Sequence, residues 1–247
     1  MTDKMQNIPR LIKQHLEMEA FFTGDFAVRG ELPSEPRPPA AQETPSAGGC
    51  SAAEGLAAIE KEVRACCCGL NKTRTNPVPG EGNPNADIVF VGEAPGADED
   101  AQGRPFVGRA GQLLNNIIAA MGLQRGDVFI CNILKCRPPE NRDPRPDEII
   151  RCLPFLQRQL ELIRPKVIVA LGAHAARTLL KTELPIGKLR GRFHDYYISP
   201  DLPPVKLMPT YHPAYLLRNY SPENRRRVWQ DMQKVMAELG MEVPKNK

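Results

Sequence analysis

ADIVFVGEAPGADEDAQGRPFVGRAGQLL, residues 86–114, decides the fold. It opens on the apolar run Ile88-Val89-Phe90-Val91, the pattern of a strand buried on both faces. The run stops at Gly92-Glu93-Ala94-Pro95-Gly96, where two glycines let the backbone come close to a ligand. Asp98-Glu99-Asp100 reads as an acidic turn. Gly103-Arg104-Pro105-Phe106-Val107-Gly108 is a second tight segment, and a helical pattern starts at Arg109. A strand feeding a Gly-rich loop and then a helix is where open α/β sheets bind ligands. No Gly-Lys-Ser/Thr follows, so this is not a nucleotide P-loop, and the glycine spacing does not fit the dinucleotide fingerprint.

Outward from this stretch the same alternation repeats. Strands are expected at 128–134, 166–172, 192–199 and 205–211, with helices at 54–65, 109–121, 147–163, 173–181 and 222–239. Gly122 reads as a helix C-cap, and Pro154 predicts a kink or a late start in its helix. Wholly apolar strands alternating with helices predict an α/β fold with a mainly parallel sheet covered on both faces. Towards the N-terminus, residues 1–28 carry an amphipathic pattern from Met5 to Phe22 that packs on the main domain or recruits a protein partner. Residues 29–53, rich in Pro, Ala, Ser, Gly and Glu, read as a linker, and 54–247 as the globular domain.

Composition narrows the class. The chain has 247 residues, 41% of them hydrophobic, with a net charge of +4. No apolar stretch reaches the length of a membrane span, and the start lacks a signal peptide's apolar region, so a cytoplasmic protein is expected. In that compartment the seven cysteines point to metal binding or buried thiols rather than disulfides. Cys136 follows a strand and Cys152 lies early in the next helix, while Cys66, Cys67 and Cys68 end an earlier one; thiolates from these places suit a [4Fe–4S] cluster or zinc. Asn132 ends an apolar strand, where it either caps a turn or reads the edge of a base. His212 stands between strand and helix in PTYHPAYLLR. Lys188, Arg190, Arg192, Lys206, Arg218 and Arg225-Arg226-Arg227 make the last third basic enough to track a phosphate backbone.

Three stretches, GEGNPNADIVFVGEAPGADEDAQGRPFVGRAGQLL, NILKCRPPENRDP and HPAYLLR, together resemble the iron–sulfur (family 4) uracil-DNA glycosylases over about residues 66–239. The resemblance implies a three-layer αβα sandwich on a four-stranded parallel sheet. It implies hydrolysis of the N-glycosidic bond of deoxyuridine in DNA, leaving an abasic site. Glu93, Ala94 and Pro95 would line the uracil pocket, Phe106 would stack on the ring, and Asn132 would read its polar edge. His212 would donate to uracil O2, and Leu216 would wedge into the gap left by the flipped nucleotide. Better-known uracil glycosylases carry an Asp where this chain has Ala94, which leaves Glu93 and Glu99 as candidates to position the water. The family's Cys-x-x-Cys departs here: Cys68 matches its second cysteine, but the first falls on Ala65, so Cys66 or Cys67 must substitute. Cys66, Cys68, Cys136 and Cys152 would then hold a structural [4Fe–4S] cluster. The implied partner is uracil-containing DNA and the implied state a monomer. The rival reading is a non-enzymatic iron–sulfur module that binds DNA or associates with a polymerase.

Overall fold

The computed structural model describes residues 51–243, apart from Asp201 and Tyr220; the segment expected at 1–28 and residues 29–50 of the linker expected at 29–53, with Cys50, lie outside the described residues, and residues 52–53 of that linker belong to a helix. The first helix, α1 (Ala52–Ala65), begins where a cap begins it. Ser51 Oγ accepts from the Glu54 N–H at 3.3 Å and Glu54 Oε2 accepts from the Ser51 N–H at 2.8 Å, so two of the helix's unpaired donors are satisfied reciprocally.

Strand β1 (Glu81–Gly82) precedes β2 (Ile88–Gly92), helices α2 (Ala97–Gln102) and α3 (Arg109–Ala120), and β3 (Phe129–Asn132). Then follow α4 (Pro146–Ile163), β4 (Val167–Leu171), α5 (Ala173–Leu180), α6 (Ile186–Leu189), β5 (His194–Tyr196), β6 (Val205–Thr210), α7 (Pro213–Arg218) and α8 (Pro222–Glu238). The sheet order is β1-β3-β2-β4-β6-β5. The inner pairs β2·β3, β2·β4 and β4·β6 are parallel, and the outer pairs β1·β3 and β5·β6 are antiparallel. The expected sheet of four strands is therefore corrected to a mixed sheet of six: two short, half-exposed strands close edges that would otherwise expose unpaired backbone groups.

The period of two along the inner strands sorts the core. Val89 and Val91 of β2, with Ile168 and Ala170 of β4, face Leu153, Leu156 and Leu160 of α4 and Ala175 and Ala176 of α5. Ile88, Phe90, Val167 and Val169 face Leu114 and Ile118 of α3 and Met232, Val235 and Met236 of α8. Helix α4 starts at Pro146, where a missing N–H is harmless, and runs through Pro154, so there is no late start. Gly122, with φ +79°, lies in the left-handed region just past α3, as its reading predicted. The acidic run is not a turn but α2 itself.

One ionic latch joins the end of β6 to the last helix. Asp231 of α8 is wholly buried; it accepts from Thr210 Oγ1 at 2.7 Å and from two nitrogens of Arg190 at 3.0 and 2.6 Å. Burial raises its carboxyl pKa, and the bonds from Thr210 and Arg190 oppose that.

Candidate active site and thiol cluster

The four parallel strands end at Gly92, Asn132, Leu171 and Thr210, all on one edge of the sheet, and the chain reverses its strand order beside β2. A crevice opens there, as expected for such sheets. It holds about 650 Å³ and is lined by Glu93, Ala94, Pro95, Phe106, Asn132 and His212 among others. Six of the residues singled out from the sequence thus meet in one cavity of ligand size.

Asn132 is 2% exposed, and its Oδ1 is a buried side-chain acceptor without a hydrogen-bond partner. Such an orphan is costly unless a ligand completes it. Gly92 leaves the space beside it: a Cβ there would fall on Asn132 Oδ1 and within 2.6 Å of Phe106 Cζ. Phe106 is held at φ +51°, a left-handed conformation that a bulky residue keeps only when its surroundings impose it. The surroundings are visible. Arg125 donates to the Phe106 carbonyl at 3.2 Å and to that of Pro105, and Gly111 lacks the Cβ that would collide with the Phe106 carbonyl. The Phe106 ring lies 5.7 Å from that of His212.

His212 is the N-cap of α7. Its Nδ1 accepts the Ala214 N–H at 3.0 Å, so the proton of the neutral ring sits on Nε2. Burial, aided by the charge of Arg218, depresses the imidazole from 6.5 to about 4. The ring is neutral at ordinary pH and presents one N–H donor.

Glu93 and Glu99, the two candidate water-positioning carboxylates, separate cleanly. Glu99 accepts from the backbone N–H groups of Gly96, Val107 and Gly108 at 3.1, 2.9 and 2.9 Å, so it is a brace between the two pocket loops and is withdrawn from the water role. Burial raises the pKa of Glu93; His174 and Arg218 oppose the shift and Asp143 reinforces it. His174 Nε2 lies 4.0 Å from Glu93 and 3.7 Å from Asp143. Sequence reading missed His174 and Asp143; neither stands out by spacing, and only the fold brings them to Glu93.

Leu216, the expected wedge, lies below the surface in this structure. It is 3% exposed and packed inward, whereas its neighbour Leu217 is 47% exposed on the same short helix. A side chain that enters a duplex must be free to leave the protein surface, and Leu217 is.

The thiols converge behind the pocket. Cys68 and Cys136 sulfurs are 4.0 Å apart, and Cys152 Sγ accepts the Lys135 N–H at 3.1 Å. Cys66 is half-buried and electrostatically linked to Cys68, and Cys152 senses both, while Cys67 is exposed. Burial pushes Cys136 up to about 12 and Cys152 up to about 11. As bare thiols they are neutral; binding a metal centre would require their thiolates. Arg74, which sequence reading passed over, clasps the set: it donates to Cys136 Sγ at 2.8 Å and to the carbonyls of Val63, Arg64 and Cys66 at 3.3, 3.0 and 3.4 Å. Four sulfur donors with a guanidinium bonded to one of them fit an anionic thiolate-bound centre. Asp100 links this region to the pocket, because it accepts the Thr75 N–H at 2.9 Å from within α2.

Comparison with known proteins agrees with this geometry. The family model described as Uracil DNA glycosylase superfamily matches residues 79–233. The chain is 48% identical over 192 residues to a type-4 uracil-DNA glycosylase of Saccharolobus solfataricus, covering 75% of this chain and 87% of that protein. It is 47% identical over 196 residues to the type-4 enzyme of Archaeoglobus fulgidus, covering 77% and 96%. With that of Thermotoga maritima it shares 49% over 181 residues, covering 72% and 92%.

Proposed function

Because the chain belongs to the uracil-DNA glycosylase superfamily and the three relatives just named are type-4 enzymes, we propose that it removes uracil from DNA by hydrolysing the bond between C1′ and N1, leaving an abasic site. The observation that supports this best is the orphaned acceptor Asn132 Oδ1. Uracil carries an N–H at N3 beside the O4 carbonyl, so an amide that accepts from one and donates to the other is satisfied. Cytosine carries a lone pair at N3 and an amine at C4, which leaves both ends of the amide mismatched. A site built around such a pair rejects the wrong base by roughly 10⁴-fold or more.

The base must first leave the helix, at a cost of a few kcal/mol. Leu217 is placed to fill the gap. Phe106 then stacks on the extruded ring. As the glycosidic bond breaks, its electron pair moves to the uracil and positive charge develops on the sugar. The Nε2–H of His212 meets the charge at uracil O2, a fixed donor that needs no reorganisation. Glu93, which the pocket keeps from full hydration, faces the sugar side, where its carboxylate offsets the cationic centre and orients the attacking water. Cys66, Cys68, Cys136 and Cys152 would hold a [4Fe–4S] cluster, whose contribution is to cross-link three chain segments rather than to carry electrons. The Cys66→Ser variant should lose bound iron and the brown colour, and Cys67→Ser should keep both; the reverse pattern would assign the first ligand to Cys67.

The test is release of uracil from an oligonucleotide with one deoxyuridine, read by alkaline cleavage, with thymine and cytosine controls. Uracil-specific release is expected. Asn132→Ala should reduce it by roughly 10²-fold or more. Leu217→Ala should lose more activity on duplex than on single-stranded substrate, and Leu216→Ala should instead lower the melting temperature. DNA binding without release by cluster-loaded protein would return the non-enzymatic reading.

A further inference from the structure

Lys135 is 1% exposed, and lysine is almost never buried so completely without a carboxylate. Its titratable neighbours are the thiols of Cys131 and Cys152, neither of them a carboxylate. Its ammonium donates to the backbone carbonyl of Asn132 at 2.9 Å and to Gln159 Oε1 at 2.7 Å. Gln159, itself 2% exposed, donates onward to the Pro79 carbonyl at 2.8 Å. The Lys135 main chain is fixed as well: its carbonyl accepts from Val78 at 2.7 Å, and its N–H donates to Cys152 Sγ at 3.1 Å. Between Asn132 and Lys135, the Ile133 and Leu134 N–H groups bond to the carbonyls of Gly92 and Glu93 at 2.9 and 3.0 Å. Three residues therefore connect the thiol set to the pocket loop that follows β2.

Burying an ammonium costs several kcal/mol unless its hydrogen bonds are met, and apolar residues would fill the same space more cheaply. What the lysine supplies that an apolar residue cannot is a fixed direction for the peptide that follows Asn132. That peptide sets where the Asn132 side chain points. We propose that Lys135 is a positioning residue for uracil recognition, holding the Asn132 amide in register with the base and tying that register to the thiol-bearing segments. The proposal rests on Asn132 as the base reader.

A double-mutant cycle on the full-length, cluster-loaded protein tests it, with single-turnover rates and substrate affinity measured for Asn132→Ala, Lys135→Met and the pair. Lys135→Met should retain the brown cluster, bind substrate within about twofold of the parent, and lose roughly 30-fold in the chemical step. In the Asn132→Ala background the same substitution should change the rate by less than about threefold, because the group it aims is gone. Full multiplicative losses, or a rate unchanged by Lys135→Met alone, would overturn the proposal. If Asn132→Ala alone leaves the rate intact, the reading of Asn132 fails instead. Should Lys135→Met not fold, Gln159→Leu removes the other anchor of the ammonium, and the same non-additivity with Asn132→Ala is expected.

Discussion

Replacing His212 by asparagine should slow uracil release by roughly 10²- to 10³-fold, the loss typical of one preorganised donor facing developing charge. Asparagine is the informative choice. Its side-chain oxygen can still accept the Ala214 N–H that His212 Nδ1 accepts at 3.0 Å, so the cap on α7 survives while the donor aimed at the base is lost. The loss should therefore fall on the chemical step, with fold and DNA affinity little changed. The parent's pH profile carries a second signature. With the imidazole depressed from 6.5 to about 4, this group should contribute no limb to the rate near pH 6.5 and one only as pH approaches 4, separate from the limb of the Glu93 carboxylate, which burial raises. Stability follows with a definite sign. The unfolded chain takes up a proton near 6.5 and the folded one does not until about 4, so the contribution is full above 6.5 and is lost as pH falls to 4. It amounts to at most about 3 kcal/mol, and to less where pocket water reaches the ring. Thermal melts of parent and His212→Asn protein should therefore diverge at neutral pH and converge towards pH 4. Parallel curves would show that the ring is not held neutral.

Gly92→Ala should inactivate the enzyme by about 10²-fold or more while leaving a folded, cluster-loaded protein, since a small misplacement of positioned groups is that costly. The added Cβ points at Asn132 Oδ1 and sits 2.6 Å from Phe106 Cζ, closer than carbon atoms approach. Both neighbours are side chains that line the pocket, so they can yield into it, and they yield by abandoning the geometry that holds a base. Rates on deoxyuridine substrate, with circular dichroism as control, check this; an alanine variant with near-parent turnover would mean that the pocket is looser than its packing indicates.

The parts of this molecule that were legible in sequence share a physical cause. Ile88–Val91 and Val167–Leu171 are buried on both faces, and only an unbroken apolar run satisfies that condition. One edge strand escaped for the opposite reason: Glu81–Gly82 has only two residues, so its pairing comes from neighbouring backbone, not from a pattern of its own, while the strand expected at 192–199 shrinks to the half-polar His194–Tyr196. Leu216 and Leu217 are alike in type and adjacent in a short helix, and which of them turns outward depends on how α7 docks against α3. Glu99 looked like a reactive acid because sequence shows a carboxylate but not the three backbone N–H groups it serves. Lys135 was passed over between Asn132 and Cys136, although a lysine in so apolar a neighbourhood has to find partners somewhere.

The latch between Thr210, Arg190 and Asp231 bears on when the molecule becomes active during its own synthesis. Translation delivers His212 before Asp231, so a growing chain holds every pocket residue before it holds the carboxylate that anchors β6. Until α8 emerges, Thr210 Oγ1 and Arg190 lack the Asp231 carboxylate, and the strand end that aims His212 is held by its sheet neighbour β4 alone. A nascent or prematurely terminated chain would carry the complete set of base-contacting side chains yet lack their alignment, so fragments ending short of Asp231 would not cut DNA.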